Sequence, residues 1–455
     1  MQTLSSAWYI EYDGKQALEA WYDGTRIWTY TVPVTSFFTG TIDPQSWRTV
    51  AYCEPTDTVI AGANNFLSYT TDSGLTWGTR YQMDPTAPPD AIPEIYQAMS
   101  CGLSGDQHSW LTVENKVSGS QGGQYKISKA ERYYLSYIQP PTQASDWDLH
   151  LMPFPLSGGL SFTSIIYSDY WQRFVAVGSP ITNNFNNERW TTPSTEGTEI
   201  SESLIGLSAL IGGYLPSDSG TLNGLWLSAT LYRSNGSVLN QTGGMGGFNA
   251  VCAASGMAVH RLIAVGGGGS TKFGYSDDGG ESWIKVDYDV SGPNVLQNNH
   301  SWADVAYGES DLLRSEGALS GRLVAANAQN SYTTVSPAGF PVKPFAYSDD
   351  GVNWTGVAYD FPYRGFGPIV FKNGWFIAFP SSTAPATTDG GIAISPNGID
   401  WRYLKVLPSA FASKGLQTGI KTKDGLILLP VGNTSLLANF YYPPGYESGL
   451  YYHAG

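Results

Sequence analysis

Short apolar segments alternate with polar turns along most of the chain, and the same pairing returns many times. Two strand-length apolar runs stand close together, as in Arg48–Tyr52 before Thr58–Gly62 and Asn249–Ala254 before Leu262–Gly266. A further hairpin follows most pairs, so the repeating unit has four strands. The units begin near residues 47, 95, 162, 204, 249, 302, 366 and 416. Four-stranded units that recur every ~40–50 residues, or more with loop insertions, predict a β-propeller.

A recurring phrase marks the hairpin of several units: a hydroxyl residue, then Asp or Asn, then Gly, then Trp. It stands at Thr70–Trp77, Ser276–Trp283, Ser348–Trp354 and Ser395–Trp401, with a degenerate copy at Tyr22–Trp28. Asp or Asn bonds to turn N–H groups, Gly supplies a positive φ, and Trp buries a large ring. The residues predicted to have this structural role are Asp23, Trp28, Asp72, Gly74, Trp77, Asp278, Gly280, Trp283, Asp350, Gly351, Trp354, Asn397, Gly398 and Trp401.

The two ends of the chain each contain part of a unit. The last unit, Leu416–Phe440, shows two strands without a turn phrase, whereas residues 18–30 show the phrase without those strands. Joined, they complete one blade, close the ring and hide sheet edges. An independent N-terminal hairpin is the alternative.

We therefore expect an all-β fold in which residues 1–442 form a single propeller of four-stranded blades. The number of blades is seven or eight, because the unit near residue 204 is the weakest. Residues 443–455 follow as an aromatic tail, which either packs on the propeller or docks on a neighbouring molecule.

The turn phrase resembles the Asp-box, or BNR, repeat of sialidase-like β-propellers, and the repeat pattern covers nearly the whole chain. The resemblance implies that each box lies at the outer hairpin of a blade, remote from the ligand site. Sialidases also carry an Arg-Ile-Pro motif near the N-terminus, and this sequence is absent here. The resemblance therefore extends to the fold and not to sialidase catalysis.

Composition and charge exclude several kinds of partner. The net charge is −14 and no basic cluster occurs, which argues against nucleic acid because phosphate binding needs Lys and Arg. No apolar run approaches the ~18 residues of a membrane span, so no membrane insertion is expected. Gly is frequent at 53 residues and only 14% of residues are charged, which fits many strands joined by Gly-rich turns.

Few residues suggest chemistry. The three cysteines, Cys53, Cys101 and Cys252, each fall near the end of a predicted first strand, where we expect buried, inert thiols. The five histidines are scattered without the spacing of metal ligands. The Gly-rich stretches lack the pattern of a phosphate or calcium loop. The sequence thus predicts no catalytic residue, no metal and no cofactor.

Aromatic side chains are concentrated in the long loops that are expected to share one face of the propeller. Aromatic rings beside polar groups suit sugars, which present both C–H faces and hydroxyls. Ordinary loop packing is the alternative. The predicted ligand-binding residues are Tyr81, Tyr288, Tyr332, Tyr359, Tyr363 and Arg364.

These observations favour a non-enzymatic structural or adhesion protein, and the Gly/Ser/Thr/Asn/Tyr-rich texture resembles bacteriophage tail and fibre proteins. Its partners would be neighbouring virion proteins, further copies of itself or host cell-surface polysaccharide. No signal peptide pattern is visible at the start, so we expect synthesis in the host cytoplasm and a place in the virion. The alternatives are a glycoside hydrolase or depolymerase, and a cytoplasmic bacterial propeller that binds proteins.

Overall fold

A computed structural model gives the fold. It describes residues 11–12, 15–16, 19–22, 25–29, 36–45, 47–64, 66–83, 94–104, 107–121, 124–151, 160–171, 173–180, 208–211, 225–228, 248–257, 259–266, 273–279, 284–286, 301–318, 320–328, 343–357, 365–381, 391–405, 416–423, 425–430 and 434–441.

Strands make up nearly all of the regular structure in these ranges. In chain order they are β1 Glu11–Tyr12, β2 Lys15–Gln16, β3 Glu19–Tyr22, β4 Thr25–Thr29, β5 Ser36–Gln45, β6 Thr49–Cys53, β7 Thr58–Gly62, β8 Phe66–Thr70, β9 Tyr81–Gln82, β10 Glu94–Ser104, β11 Gln107–Gln121, β12 Gln124–Ser136, β13 Asp148–Leu151, β14 Leu160–Ser168, β15 Arg173–Pro180, β16 Ser208–Ile211, β17 Leu225–Ser228, β18 Phe248–Ala254, β19 Arg261–Gly266, β20 Phe273–Ser276, β21 Ile284–Lys285, β22 Trp302–Gly308, β23 Arg322–Asn327, β24 Phe345–Ser348, β25 Thr355–Val357, β26 Phe366–Lys372, β27 Trp375–Pro380, β28 Gly391–Ser395, β29 Arg402–Lys405, β30 Leu416–Lys421, β31 Gly425–Pro430 and β32 Thr434–Tyr441.

Helix is confined to three short pieces in the described ranges. They are the α-helix α1 at Asp311–Ser315 and 3-10 turns at Glu54–Thr56 and Ala144–Asp146. A helix with the length and apolar character needed to cross a membrane is not found among the described residues.

The described strands form seven four-stranded sheets and two separate pairs, β1 with β2 and β3 with β4. We number them by their first strand: sheet 1 is β6–β9, sheet 2 β10–β13, sheet 3 β14–β17, sheet 4 β18–β21, sheet 5 β22–β25, sheet 6 β26–β29, and sheet 7 combines β30, β31, β32 and β5. Sheets 1, 2, 4, 5 and 6 are antiparallel meanders in chain order, as in a regular propeller blade. Each first strand contacts the first strand of the next sheet, and β30 contacts β6. The sheets therefore form a closed β-propeller, which confirms the predicted fold class.

Ring closure occurs as predicted in kind but through a different segment. The outer strand of sheet 7 is Ser36–Gln45, which pairs antiparallel with Thr434–Tyr441. The prediction that residues 18–30 complete this blade is wrong, because β3 and β4 pair only with each other in the described part. The C-terminal segment already supplies three strands, so one long N-terminal strand is sufficient.

The described strands of the unit predicted near residue 204 belong to sheet 3 and not to a separate sheet. These strands, Ser208–Ile211 and Leu225–Ser228, complete sheet 3, where the second of them pairs parallel to β15. The other seven predicted unit starts coincide, within a few residues, with the first strands of the seven sheets. Residues 443–455 lie outside the described residues.

The apolar core lies between adjacent sheets. All six residues of Arg322–Asn327 are buried, because a middle strand is covered on both faces by neighbouring sheets. Trp302 packs with Val265 between sheets 4 and 5, and Phe366 packs with Phe345 between sheets 5 and 6. Burial of such rings is the main source of stability at each interface.

Candidate functional site

The repeated turn phrase folds in the same way wherever it is described. In sheet 5, Ser348 Oγ donates to Asp350 Oδ1 at 3.0 Å and accepts from Gly351 N at 2.8 Å. The indole Nε1 of Trp354 donates to Gly351 O at 3.1 Å. Gly351 has a φ of 74°, a conformation that residues with a Cβ rarely adopt. The carboxylate, the hydroxyl and the indole are therefore committed to holding the turn.

Sheets 1 and 6 repeat this arrangement. Trp77 donates to Gly74 O at 3.2 Å after a turn held by Asp72, and Trp401 donates to Gly398 O at 2.9 Å after a turn held by Asn397. Both glycines have positive φ. These contacts agree with the structural role predicted from the sequence.

The remaining phrase residues are described only in part. In sheet 4, Ser276 Oγ donates to Asp278 Oδ1 at 2.7 Å, and the positive φ falls on Gly279, one residue before the predicted Gly280. Gly280 and Trp283 lie outside the described residues, as does Asp23. Trp28 lies in β4, within the separate N-terminal pair of strands.

Arginines connect three consecutive sheets near these turns. Arg322 forms a two-pronged ion pair with Asp349, at 2.6 and 3.0 Å, and its Nη1 donates to Asn397 O in the next sheet at 2.8 Å. Arg261 pairs in the same way with Asp277 and donates to Asp350 O in the next sheet. Each guanidinium also lies over a tyrosine ring of its own sheet.

Tyr81 is the one predicted ligand-binding residue that the structure describes. Its hydroxyl donates to Pro141 O and accepts from Trp147 Nε1, both at 3.0 Å, so it links sheet 1 to sheet 2. Burial raises the pKa of its hydroxyl. Tyr81 therefore packs between sheets, and ligand binding by this residue stays a prediction. The other predicted residues, Tyr288, Tyr332, Tyr359, Tyr363 and Arg364, lie outside the described residues.

Polar side chains at the start of the first strands bind the backbone of the next sheet. Thr163 Oγ1 donates to Phe248 O at 2.7 Å, and Asn249 Nδ2 donates to Trp302 O at 2.7 Å. Thr163 and Asn249 each follow a large aromatic residue and sit at a register shift of the strand. A bulge turns the side chain away from its own sheet, which lets it reach across the interface.

In β22 the corresponding polar residue is Asp304, which lies two residues after Trp302, at the register shift of this strand. Its Oδ2 accepts from Ile369 N in sheet 6 at 3.0 Å, much as Ser164 Oγ accepts from Val251 N between sheets 3 and 4. Oδ1 accepts from Val305 N at 2.8 Å. Desolvation by the surrounding protein raises the pKa of this carboxyl to about 7, and the two backbone N–H groups oppose the shift only in part.

A sulfur–imidazole cluster lies between sheets 1 and 2. The Sγ atoms of Cys53 and Cys101 and a ring nitrogen of His108 all lie within 4.8 Å of one another. A hydrogen bond from Cys101 lowers the pKa of the Cys53 thiol to about 7, although burial opposes this. The same hydrogen bond and burial raise the pKa of Cys101. The pair therefore favours one thiolate, on Cys53, and one thiol.

The spacing of residues along the sequence predicted neither the buried Asp304 nor the cluster of two thiols and an imidazole. His108 follows Cys101 in the next strand of sheet 2, and Cys53 comes from sheet 1, so only the packing of two sheets brings the three together. The one available signal was that Cys53 and Cys101 both fall near the end of a predicted first strand, in consecutive units. Asp304 carried a similar signal, as an acid in an otherwise apolar first strand.

Comparison with known proteins supports the fold and goes no further. No protein-family model matches the chain, and no curated protein matches it. An ancestral GH74 enzyme matches with a TM-score of 0.52 and 11% identity over 96% of this chain and 51% of that one, so this chain spans about half its length. YCF48 bound to D1 peptide matches with a TM-score of 0.46 and 13% identity, covering 89% of this chain and 97% of the other. An alpha-l-arabinofuranosidase from Fusarium graminearum matches with a TM-score of 0.42 and 11% identity, covering 90% and 98%. At 11% identity the likeness to the GH74 enzyme shows the fold alone, and the other two matches, with TM-scores under 0.5, carry no argument.

Proposed function

We propose that this chain is a non-enzymatic propeller that acts as a structural or adhesion protein, presenting its loops to neighbouring subunits or to a host-surface polysaccharide. The observation that carries the proposal is the use of polar groups on the described first strands. Thr163, Asn249 and Asp304 all hold the backbone of the next sheet. Groups used in this way make the ring rigid, as a scaffold requires.

Four acids among the described residues support the same function. Glycoside hydrolysis generally uses two carboxylates that flank the scissile bond. Asp304 is the one acid of β22, and both of its oxygens accept backbone hydrogen bonds. Asp72 and Asp350 hold turns, and Asp349 pairs with an arginine.

We further propose that the chain belongs to a bacteriophage virion and that its turn phrases are Asp-boxes. The virion placement depends on composition, with 53 glycines, 29 tyrosines and only 14% charged residues. Mass spectrometry of purified virions, from a phage whose genome encodes this chain, tests this placement. The chain is expected among the particle proteins, and virions without it would refute the placement.

Binding of the purified chain to arrayed bacterial surface polysaccharides and to intact cells tests the adhesion role. We expect saturable binding without release of sugar. Replacing a predicted loop aromatic, Tyr288→Ala, should weaken binding several-fold. The matched control is Tyr170→Ala, because Tyr170 is an exposed tyrosine outside the predicted ligand-binding loops. Release of sugar fragments would favour a hydrolase, and a lack of binding would leave subunit contact as the function.

A further inference from the structure

Three side chains of the kind that binds thiophilic metal ions meet where sheet 1 contacts sheet 2. Cys53 ends β6, Cys101 lies in β10 and His108 lies in β11. Their two sulfurs and a ring nitrogen lie within 4.8 Å of one another. We propose that Cys53, Cys101 and His108 bind one divalent d10 metal ion of the Zn²⁺ type, with a fourth position open to water.

The spacing of the donors suits tetrahedral coordination. Zinc binds thiolate sulfur at about 2.3 Å and imidazole nitrogen at about 2.0–2.1 Å, so two ligand atoms of one tetrahedron lie about 3.4–3.8 Å apart. Donors within 4.8 Å of one another reach that geometry when they close by about 1.4 Å or less. Small side-chain rotations provide this movement while the strands stay in place.

The strands that carry the donors are held firmly. Cys101 pairs with Trp110, and His108 stands two residues before Trp110, so Cys101 and His108 share one face of sheet 2. Gln139 fixes this end of β11: its Nε2 donates to His108 O at 3.0 Å, and its Oε1 accepts from Trp110 Nε1 at 2.8 Å. A site built on paired strands positions its ligands better than one on loops.

Zinc binds cysteine as the thiolate, so metal binding would release the thiol protons of Cys53 and Cys101 to solvent, as it does at other cysteine sites. The Thr56 hydroxyl contacts the Cys53 sulfur, and its buried oxygen has no other hydrogen-bond partner in the described part of the chain. It could hydrogen-bond a water in the fourth position.

The third cysteine provides an internal contrast. Cys252 lies in β18 and belongs to no group of three metal-ligating side chains among the described residues. Cys252 is therefore the matched control for a cysteine in a first strand without the neighbouring thiol and imidazole.

Cobalt titration of the whole reduced chain, stripped with a chelator and kept free of oxygen, tests the proposal. We expect a thiolate-to-cobalt charge-transfer band that saturates at one Co²⁺ per chain and disappears when Zn²⁺ is added. Cys53→Ser and Cys101→Ser should abolish the band, and His108→Gln should weaken Co²⁺ binding roughly tenfold or more. Cys252→Ser should leave the titration unchanged.

A second readout guards against variants that do not fold. Zn²⁺ should raise the thermal midpoint of the wild-type chain and of Cys252→Ser, because a ligand that binds the folded state stabilises it. His108→Gln, at a partly exposed position, should keep the wild-type circular dichroism spectrum and lose most of this shift. The proposal is overturned if the reduced wild-type chain shows no band and no shift. It is equally overturned if Cys252→Ser loses the band while the other variants keep it, or if Cys53 and Cys101 form a disulfide that a reductant does not open.

Discussion

The interface between sheets 5 and 6 and the interface between sheets 1 and 2 both receive a buried Trp from the last turn of the second sheet. Trp401 stacks on Phe345 with ring centroids 3.7 Å apart, and its Nε1 closes its own turn on Gly398 O. Trp147 instead donates across the interface to the Tyr81 hydroxyl. The indole of Trp401 thus bonds within its own turn, whereas the indole of Trp147 bonds to the neighbouring sheet.

The contact that Trp401 makes recurs at another interface of the ring, whereas the hydrogen bond of Trp147 belongs to the interface between sheets 1 and 2. The stack of Trp401 on Phe345 has a copy between sheets 4 and 5, where Trp354 stacks on Phe273 at 4.2 Å. The cluster of two thiols and an imidazole between sheets 1 and 2 is the one group of its kind that the described residues contain. Repeated parts hold the ring, and the parts that depart from the repeat are where specific chemistry becomes possible.

The largest expected effect comes from removing the ring that makes the repeated contact. Trp401→Ala empties a site where the side chain is only 3% exposed, so it should lower the free energy of unfolding by about 3–5 kcal/mol. Urea unfolding followed by circular dichroism measures this loss. Trp77→Ala, at a partly buried Trp of sheet 1, is the control and should cost clearly less. Equal losses would contradict the burial argument.

The free energy of unfolding of the chain should depend on pH because of Asp304, which lies at the interface between sheets 5 and 6. Asp304 has a folded-state pKa of about 7, whereas an unfolded Asp ionises near pH 4. The folded state therefore holds the proton more tightly, and this contribution is complete below about pH 4, falls as pH rises, and is lost above about pH 7. At 1.36 kcal/mol per pKa unit, a shift of about three units corresponds to a loss of about 4 kcal/mol.

The variant Asp304→Asn should flatten this slope, because it cannot ionise. Urea midpoints measured between pH 4.5 and 8 show the effect as a difference between variant and wild type that changes with pH. Asp311→Asn, at an exposed carboxylate of helix α1, is the control and should leave the slope unchanged. A wild-type chain whose stability rises from pH 5 to 7 by this amount would contradict the expected sign.

Arg322 and Arg261 make the same kind of link between sheets. Comparing them tests whether burial changes how much such a link contributes to stability. Arg322 is 4% exposed and Arg261 is 12% exposed, while their bonds to Asp349 and Asp277 are alike. Arg322→Met should cost about 2 kcal/mol, because it removes charge-assisted hydrogen bonds and leaves Asn397 O without its donor. Arg261→Met should cost about 1 kcal/mol. Thermal midpoints of the two variants check the order, and a larger loss for Arg261→Met would reverse the argument.

The repeated parts of the fold were the parts that the sequence predicted well. Asp350, Asn397 and their glycines hold turns as expected, because Asp, Asn and Gly encode turn geometry locally. The seven first strands were also found, since each begins an apolar run. Local encoding of this kind needs no knowledge of which sheets are neighbours.

The parts that escaped prediction depend on contacts between distant segments. The last turn of sheet 2 keeps an initial Ser136 and a final Trp147, but a longer stretch held by Asp146 replaces the glycine phrase. Ring closure by Ser36–Gln45 depends on the third strand supplied by the C-terminal segment. The meeting of Cys53 with His108 likewise follows from how two sheets pack, which spacing along the chain does not encode.

A loss similar to that of the arginine variants is expected at Tyr81, the residue on which the two interfaces differ most directly. Tyr81→Phe keeps the ring but removes the hydroxyl that donates to Pro141 O and accepts from Trp147 Nε1, so we expect a loss of about 1–2 kcal/mol in the free energy of unfolding. Tyr69→Phe, in the same core cluster, is the control for loss of a tyrosine hydroxyl and should cost less. If Tyr81 serves only as this link, Tyr81→Phe will bind polysaccharide as the wild type does while its thermal midpoint falls. A variant that loses polysaccharide binding at an unchanged midpoint would instead establish Tyr81 as a ligand-binding residue, and the interface between sheets 1 and 2 would then be held by packing of its rings rather than by this hydroxyl.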